Sequence, residues 1–413
     1  MTTSRPPLRL ERRHWLLAAA QMFAGIGTAV GFAVGALLAE DLTGSTRFAG
    51  FAQTASVLGA GLAAVPLARL AARRGRRASL TLGFALAALG AAVVVGSSTA
   101  HLWPGYFLGM ALVGVGTATG LQARFAATDG APTVTQGRLM SFVVWAQTVG
   151  SVLGPMLSEP GAALGHLLGV HPLVGPFVVT TAAFGLAVLC TAVLPGRRAL
   201  PSPAAQPTPT AGRGVGIGEA IRTVFASPTA LLGFTAVVTG HMIMASVMVM
   251  TPLHMHHSGH TIGLVGIVIS VHTLGMYAFS PLVGWLADRW GPGRVVGLGC
   301  LVFVAAIGLG LWDSLAHASS LPRISASLFL LGLAWSCTLL AGSTLTSQGV
   351  PDSHRTTVQG VTDASMNYGA AIVTAAGGPL LAAGGFLWIN LMAAAVLVLL
   401  IAAGVHAGFG TRR

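Results

Sequence analysis

Long apolar stretches recur along the whole chain, with short polar segments between them. A helix that crosses a lipid bilayer needs about 20 mostly apolar residues, and twelve stretches of roughly that length can be drawn. They fall at 15–38, 48–70, 79–98, 102–126, 138–157, 172–194, 229–253, 261–287, 294–315, 321–346, 356–383 and 385–407. The pattern predicts an all-α membrane protein with twelve transmembrane helices.

Two other interpretations of these stretches fit poorly. The stretches are too long for the strands of a membrane barrel and lack the alternation that such strands show. The first stretch is about twice as long as the core of a signal peptide, and no cleavage site follows it. We therefore expect it to stay in the protein as the first helix.

Composition agrees with a membrane protein. Of 413 residues, 54% are hydrophobic and 8% are charged, and the mean hydropathy is +0.78. Soluble domains carry about 25% charged residues. The chain shows neither a phosphate-binding loop nor a nucleophile elbow, and no H-E-x-x-H zinc motif. We therefore expect a transporter rather than an enzyme, with no cofactor.

The positive charge is distributed in a way that predicts topology. The net charge is +12, and all 22 basic residues are arginines. Only Arg47 and Arg323 fall in the connections that would face outward, and the rest lie in the tails, the inward connections or the inner helix ends. Positive residues concentrate on the cytoplasmic side of membrane proteins. This predicts cytoplasmic termini and a location in the plasma membrane (the inner membrane of a bacterial cell), and it argues against a nucleic-acid partner.

A polar segment divides the twelve stretches into six and six. The segment "PGRRALPSPAAQPTPTAGRG" is rich in proline and small polar residues, which is typical of an extended linker. We expect an N-terminal half at 1–194, a cytoplasmic linker at 195–228 and a C-terminal half at 229–413. The linker ends in "GEAIRTVFASP", which has the pattern of a short amphipathic helix at the inner surface.

The two halves repeat one another. The second helix of each half is followed by related basic loops, and aligning Gly75 with Gly291 gives an offset of 216 residues. The loop "GWLADRWGPGR" at 284–294 resembles the cytoplasmic loop signature of the major facilitator superfamily. In the first-half copy Pro66 and Ala72 replace its glycine and aspartate. The resemblance implies a monomeric secondary transporter that works by alternating access, with its site near the midplane.

The resemblance also suggests residues for gating or coupling. Asp288, Arg289 and Arg294 belong to the loop signature. Arg124 lies at the inner end of the fourth helix, where many members of the superfamily carry an arginine; snorkelling of its side chain towards the inner surface is the alternative. Asp363, in the eleventh helix, is a candidate for proton coupling, although an interhelical hydrogen bond would serve equally well.

The stretch "HMIMASVMVMTPLHMHHSGH" at 241–260 combines five methionines with five histidines. The seventh helix should run outward, so its final histidines are expected at the external face. Solvated polar residues are the alternative explanation. The expected external metal ligands are His254, His256, His257 and His260.

Further ligands lie deeper in the seventh and eighth helices. His241, Met244 and Met248 share one face of the seventh helix, whereas Met242 and Met250 point elsewhere. His272 and Met276 form a second pair four residues apart. Counting 1.5 Å per residue from the outer ends gives a descending ladder: Met248 at about 8 Å, Met244 at about 14 Å, His272 at about 17 Å level with His241 at about 18 Å, and Met276 at about 22 Å.

The ligand types point to Cu(I), because neutral thioethers and imidazoles suit a soft ion. The pattern M-x-x-x-M in the seventh helix and H-x-x-x-M in the eighth resembles the CcoA-like (CalT) copper importers. That resemblance implies Cu(I) uptake, with Met244, Met248, His272 and Met276 as ligands and copper as the transported substrate. Each pair alone is also compatible with core packing.

One alternative function is proton-coupled efflux of an organic solute or drug. The segment "GSVLGP" at 150–155 is similar to the antiporter motif of the superfamily, although its glycines would equally serve close helix packing. The methionines would then form an adaptable apolar lining.

Overall fold

The structure is a computed structural model that describes residues 10–127, 133–195, 216–316 and 318–410. Within these ranges the chain is helical and contains no strand. The first half contains α1 Arg12–Thr43, α2 Phe51–Arg74, α3 Arg76–Thr99, α4 Trp103–Ala126, α5 Thr133–Met156, α6 Ser158–Leu167 and α7 Gly175–Ala192. The second half contains α8 Ile217–Ala226, α9 Pro228–His257, α10 Ile262–Tyr277, α11 Ser280–Trp290, α12 Pro292–Leu315, α13 Leu321–Gln348 and α14 Arg355–Gly410.

The helices reproduce the predicted membrane spans. In the part of the chain that the structure describes, 10 helical stretches are long and apolar enough to cross a membrane. One of them, Thr357–Val405, is a pair of helices, because α14 is interrupted at Gly384 and Gly385. The fifth predicted span corresponds to α5, whose apolar part is the shorter segment Phe142–Met156. The predicted all-helical fold with twelve spans is confirmed.

The break between the last two spans has a backbone cause. Gly385 has φ 66° and Gly384 has φ −148° with ψ 19°, so neither residue is helical. Positive φ is readily adopted only by glycine. The sequence placed this boundary between 383 and 385, and the structure agrees.

The eighth predicted span differs from the expectation of one continuous helix. It is divided into α10 and α11 around residues 278–279. Pro281 has no amide hydrogen and cannot donate to the Tyr277 carbonyl four residues earlier. The Ser280 hydroxyl donates to that carbonyl instead, at 2.7 Å. The chain also forms α6, which no apolar stretch predicted, and the amphipathic α8, which the sequence did predict.

The described residues form two compact units. The first contains the residues up to Thr43 and those from Ala55 to 195. The second contains Gly44–Thr54 and the residues from 216 onward. Segment 44–54 joins the second unit through α14, where the Thr54 hydroxyl contacts Thr374 at 3.1 Å. Most of the predicted linker, 196–215, lies outside the described residues.

The first unit is held together by close helix packing. Rings of Phe84 and Phe184 stack at 6.4 Å. A side chain at Gly150 would collide with the Met22 carbonyl of α1, and one at Gly154 would collide with α1 at Ile26. The glycines of the "GSVLGP" segment therefore serve the packing of α5 against α1.

The second unit is organised around α13. Gly240 of α9 lies against the Thr338 side chain, and Gly332 of α13 lies against the His272 carbonyl of α10. Gly275 of α10 lies in turn against the Phe329 carbonyl. These glycines bring both methionine-bearing helices close to one central helix.

Candidate functional site

Helix α9 carries two methionines into the interior of the second unit. The helix starts where the Ser227 hydroxyl accepts a hydrogen bond from the Ala230 amide, with Pro228 at its first position. Met244 and Met248 are buried, with 3% and 6% of their surface exposed. They follow Gly240 at four-residue steps, which places them on the side of α9 that carries the contact with α13.

The neighbouring methionines of α9 have a different role. Met242 packs against Gly369 of α14, and Met250 packs against Gly377 of the same helix. Their sulfur atoms lie in these contacts. Both therefore act as packing residues between α9 and α14, as their position on the helical wheel suggests.

Helix α10 presents a buried imidazole with one free nitrogen. His272 is completely buried, and its Nδ1 lies 2.7 Å from the Leu328 carbonyl oxygen of α13. A carbonyl can only accept, so Nδ1 carries the proton and donates it. The Nε2 atom then carries a lone pair, and it has no partner among the described residues. This is the arrangement in which histidine binds metals, with the second nitrogen oriented by a backbone carbonyl.

Contacts with α13 give the relative depth of the four candidate ligands. Gly240 lies beside Thr338, and α9 and α13 run antiparallel, so Met244 lies level with about residue 334 and Met248 with about residue 330.

On α10, His272 bonds Leu328, and Met276 packs on Gly332. The ligands thus fall at two levels, Met248 with His272 and Met244 with Met276. This differs from the predicted descending ladder, which was counted from helix ends and ignored the offset between helices.

His241 lies one turn before Met244, towards the start of α9, and has a different partner. Its Nδ1 accepts a hydrogen bond of 2.9 Å from the Trp335 indole nitrogen of α13. Tyr277 of α10 contacts the same indole edge-to-face, with ring centroids 5.8 Å apart. Trp335 therefore connects α9 and α10 one turn before Met244 along α9.

The histidines expected at the outer end of α9 do not converge. Nowhere in the described ranges do three or more His, Cys, Asp or Glu side chains form a group that could hold a metal ion. His256 and His257 are exposed, and the Nε2 atom of His260 is buried with no hydrogen-bond partner in the part of the chain that the structure describes. The ring of His254 stacks on Phe386 at 4.3 Å.

His254 instead joins an ionic network around Asp313, a fully buried carboxylate. The Arg323 side chain and the Ser320 amide donate to one carboxylate oxygen at 2.8 and 2.9 Å, and His254 and Ser319 contact the other at 3.1 and 3.0 Å. A buried carboxylate needs such compensation. The network ties α9, α12 and the start of α13 together.

Sequence reasoning gave no role to Asp313 or Trp335, and it used Arg323 only as an outward-facing charge. The sequence could have indicated a role for Asp313, because an acidic residue inside the apolar stretch 294–315 is costly unless it is paired. Nothing in the sequence indicated a role for Trp335, because its partner is 94 positions away in the chain.

The candidate gating residues are mostly exposed. Asp288 and Arg294 lie on either side of the turn at Gly291, and the Arg294 guanidinium donates to the Trp290 carbonyl at 3.4 Å. Arg289 lies over the Trp285 ring at 5.3 Å. These residues cap the junction of α11 and α12 with local contacts.

The other two candidates lie on separate helices. Arg124 belongs to α4, and its side chain is outside the described part of the chain. Asp363 is on an exposed face of α14, and its carbonyl accepts from Asn367 at 2.8 Å.

Comparison with known proteins identifies the family. The chain matches the Major Facilitator Superfamily over residues 16–263 and 241–409. It is 31% identical to the uncharacterized MFS-type transporter YdeG of Bacillus subtilis (strain 168), over 95% of this chain and 90% of that protein. It is 24% identical to the riboflavin transporter RfnT of Brucella anthropi, over 95% of this chain and 94% of the relative.

The fold is similar to that of solved transporters. A bacterial homolog of the human lysosomal transporter Spinster, in an inward-facing and unoccupied conformation, superimposes with a TM-score of 0.74 at 17% identity, covering 98% of each chain. Members of this superfamily are transporters and not enzymes. The chain belongs to the major facilitator superfamily, and it is a membrane-spanning secondary transporter of a small solute.

Proposed function

We propose that the transported solute is Cu(I), and that it moves into the cell through the side chains of Met244, Met248, His272 and Met276. The observation that carries the proposal is the Nε2 atom of His272. It is a buried lone pair with no hydrogen-bond partner among the described residues, and its ring is oriented by the Leu328 carbonyl. Leaving such an atom unpaired costs about 1–3 kcal/mol, which a bound ion would recover.

The surrounding residues supply the remaining ligands. All four side chains are buried. Thioether sulfur is soft and neutral, so it favours Cu(I) over ions that prefer carboxylates. Because none of the four ligands is a thiolate, the site should bind loosely enough to release its ion, as transport requires.

The residue pattern supports the same substrate. The spacings 244–248 and 272–276 are those of the CcoA-like importers in both helices. Asp363, on the exposed face of α14, is our candidate for coupling this movement to protons, and Asp288, Arg289, Arg294 and Arg124 are our candidates for gating.

A second candidate function is the proton-coupled efflux of an organic solute. One observation favours an organic substrate: a relative of similar length is named as a riboflavin transporter. In that case Met244 and Met248 would be apolar lining.

Copper accumulation in cells that lack their own importer separates the two functions. The site variant carries Met244→Leu, Met248→Leu and His272→Asn. Leucine preserves the volume of methionine, and asparagine keeps a donor for Leu328 while removing the imidazole. The control carries Met242→Leu and Met250→Leu, which alter methionines packed on α14.

Wild type and control should raise cellular copper, and the site variant should lose about nine-tenths of that gain or more at equal membrane expression. Equal copper in cells with and without the wild-type protein would reject the Cu(I) proposal. The next screen would then be for exported organic compounds.

A further inference from the structure

We infer that Trp335 determines the metal selectivity of this site by keeping the His241 imidazole out of the ligand set. The inference rests on the proposed Cu(I) function and assigns Trp335 a role that it performs through His241. It concerns the contact of His241 on α9, Tyr277 on α10 and Trp335 on α13, one turn before Met244 along α9.

The hydrogen bond fixes what His241 can do. The indole nitrogen of Trp335 is only a donor, so the bond of 2.9 Å occupies the lone pair on His241 Nδ1. In the neutral ring the proton must then reside on Nε2. Neither nitrogen of His241 has a lone pair left for a metal while this bond persists.

The indole has two aromatic neighbours. Tyr277 lies against it edge-to-face at an interplanar angle of 80°, and the His241 ring is tilted by 48° with centroids 6.1 Å apart. Trp335 is 93% buried, with 7% of its surface exposed. The donor therefore remains aimed at His241 rather than turning towards solvent.

Without that donor, His241 would be within reach of the site. Residues three apart on a helix are neighbours with Cβ atoms about 5–6 Å apart, and Met244 is three residues from His241. The two pairs of ligands lie immediately beyond it. A released imidazole would add a second nitrogen ligand to one imidazole and three thioethers.

A second imidazole would change the preferred ion. Imidazole suits Zn(II), Cu(II) and Ni(II), whereas thioethers favour Cu(I). One imidazole among thioethers therefore keeps the site selective for Cu(I) and limits its affinity. The Trp335–His241 bond thus excludes the divalent competitors that would otherwise block the pathway.

The test compares Trp335→Phe, His241→Ala and the double variant in purified, detergent-solubilised protein titrated with Co(II), a spectroscopic substitute for Zn(II). Phenylalanine keeps an aromatic ring beside Tyr277 but has no hydrogen-bond donor for His241. We expect Trp335→Phe to bind Co(II) about tenfold more tightly than wild type, with new visible d–d absorption. The double variant should return to the wild-type affinity, because the added ligand is gone.

Three results would overturn the inference. One is an unchanged Co(II) affinity in folded Trp335→Phe. The second is a Cu(I) affinity of His241→Ala that is lower than that of wild type, because the inference places His241 outside the ligand set. Gain of affinity that persists in the double variant would also reject it.

Failure of the inference is distinguishable from failure of the proposed function. Copper uptake by the wild-type protein tests the function alone. If wild type takes up copper and Trp335→Phe binds Co(II) as wild type does, only the role of Trp335 is rejected.

Discussion

Among single residues, His241 and His272 show how one contact determines the chemistry of an imidazole. Both lie in apolar helices, and both are oriented by a residue of α13. Leu328 offers an acceptor, which leaves the distal nitrogen of His272 able to bind a metal. Trp335 offers a donor, which leaves His241 without a nitrogen lone pair that could bind a metal.

Asp313 joins α9, α12 and α13 of the second unit through a buried ionic network. Its fully buried carboxylate neutralises Arg323, whose side chain is itself only 15% exposed. Asp313→Asn would leave that guanidinium without a counter-charge. Removing one partner of a buried pair costs about 3–5 kcal/mol, so we expect a loss of about 3 kcal/mol in the free energy of unfolding.

The measurement is the thermal unfolding midpoint of the detergent-solubilised protein. Asp352→Asn is the matched control, because Asp352 also pairs with an arginine but is 87% exposed. Such surface pairs contribute about 0–1 kcal/mol. Equal midpoints for the two variants would show that the Asp313 network does not stabilise the protein.

At the scale of helices, the position of His272 and Met276 depends on backbone contact between α10 and α13. Gly332 and Gly275 remove the side chains that would otherwise separate the two helices. The bond from His272 to Leu328 exists only at that close distance.

We therefore expect Gly332→Val to abolish copper uptake while the protein still reaches the membrane. The valine methyl groups would push α10 away at His272, at a cost of about 1–3 kcal/mol in stability. Uptake assays with surface expression measured in parallel would show this. Gly297→Val on α12 is the control, because a Cβ atom there meets nothing within 4 Å; loss of uptake in both variants would argue against a local effect.

The helices themselves could be predicted from the sequence, but their register could not. Apolar length fixes where a span lies, and the pair Gly384–Gly385 marks a break. The break at Pro281 was missed because its flanks are as apolar as a continuous span. The depth of Met248 relative to His272 could not be counted from helix ends either, because it depends on how α9 and α10 each pack on α13.

For the whole molecule, the proposal of copper uptake depends on how the chain is oriented in the membrane. The distribution of charge predicts that orientation. The arginine distribution predicts that the turn between α9 and α10 faces outward and the turn between α13 and α14 faces inward. Copper would then enter at the histidine-rich end of α9.

Cysteine labelling tests that orientation. In a background with Cys190, Cys300 and Cys337 replaced by alanine, Ser258→Cys should react with a membrane-impermeant maleimide in intact cells. Ser353→Cys should react only after the membrane is opened. Both serines are exposed, so accessibility within the protein is matched. The reverse pattern would invert the proposed direction of transport.

The central claim is that this chain carries Cu(I) through His272 and its methionines. The most direct measurement is Cu(I) entry into liposomes containing only the purified protein and an internal Cu(I)-sensitive dye. Wild type should fill the liposomes, and the variant Met244→Leu, Met248→Leu, His272→Asn should not exceed protein-free liposomes. Equal filling by both proteins, or none by wild type, would contradict the claim.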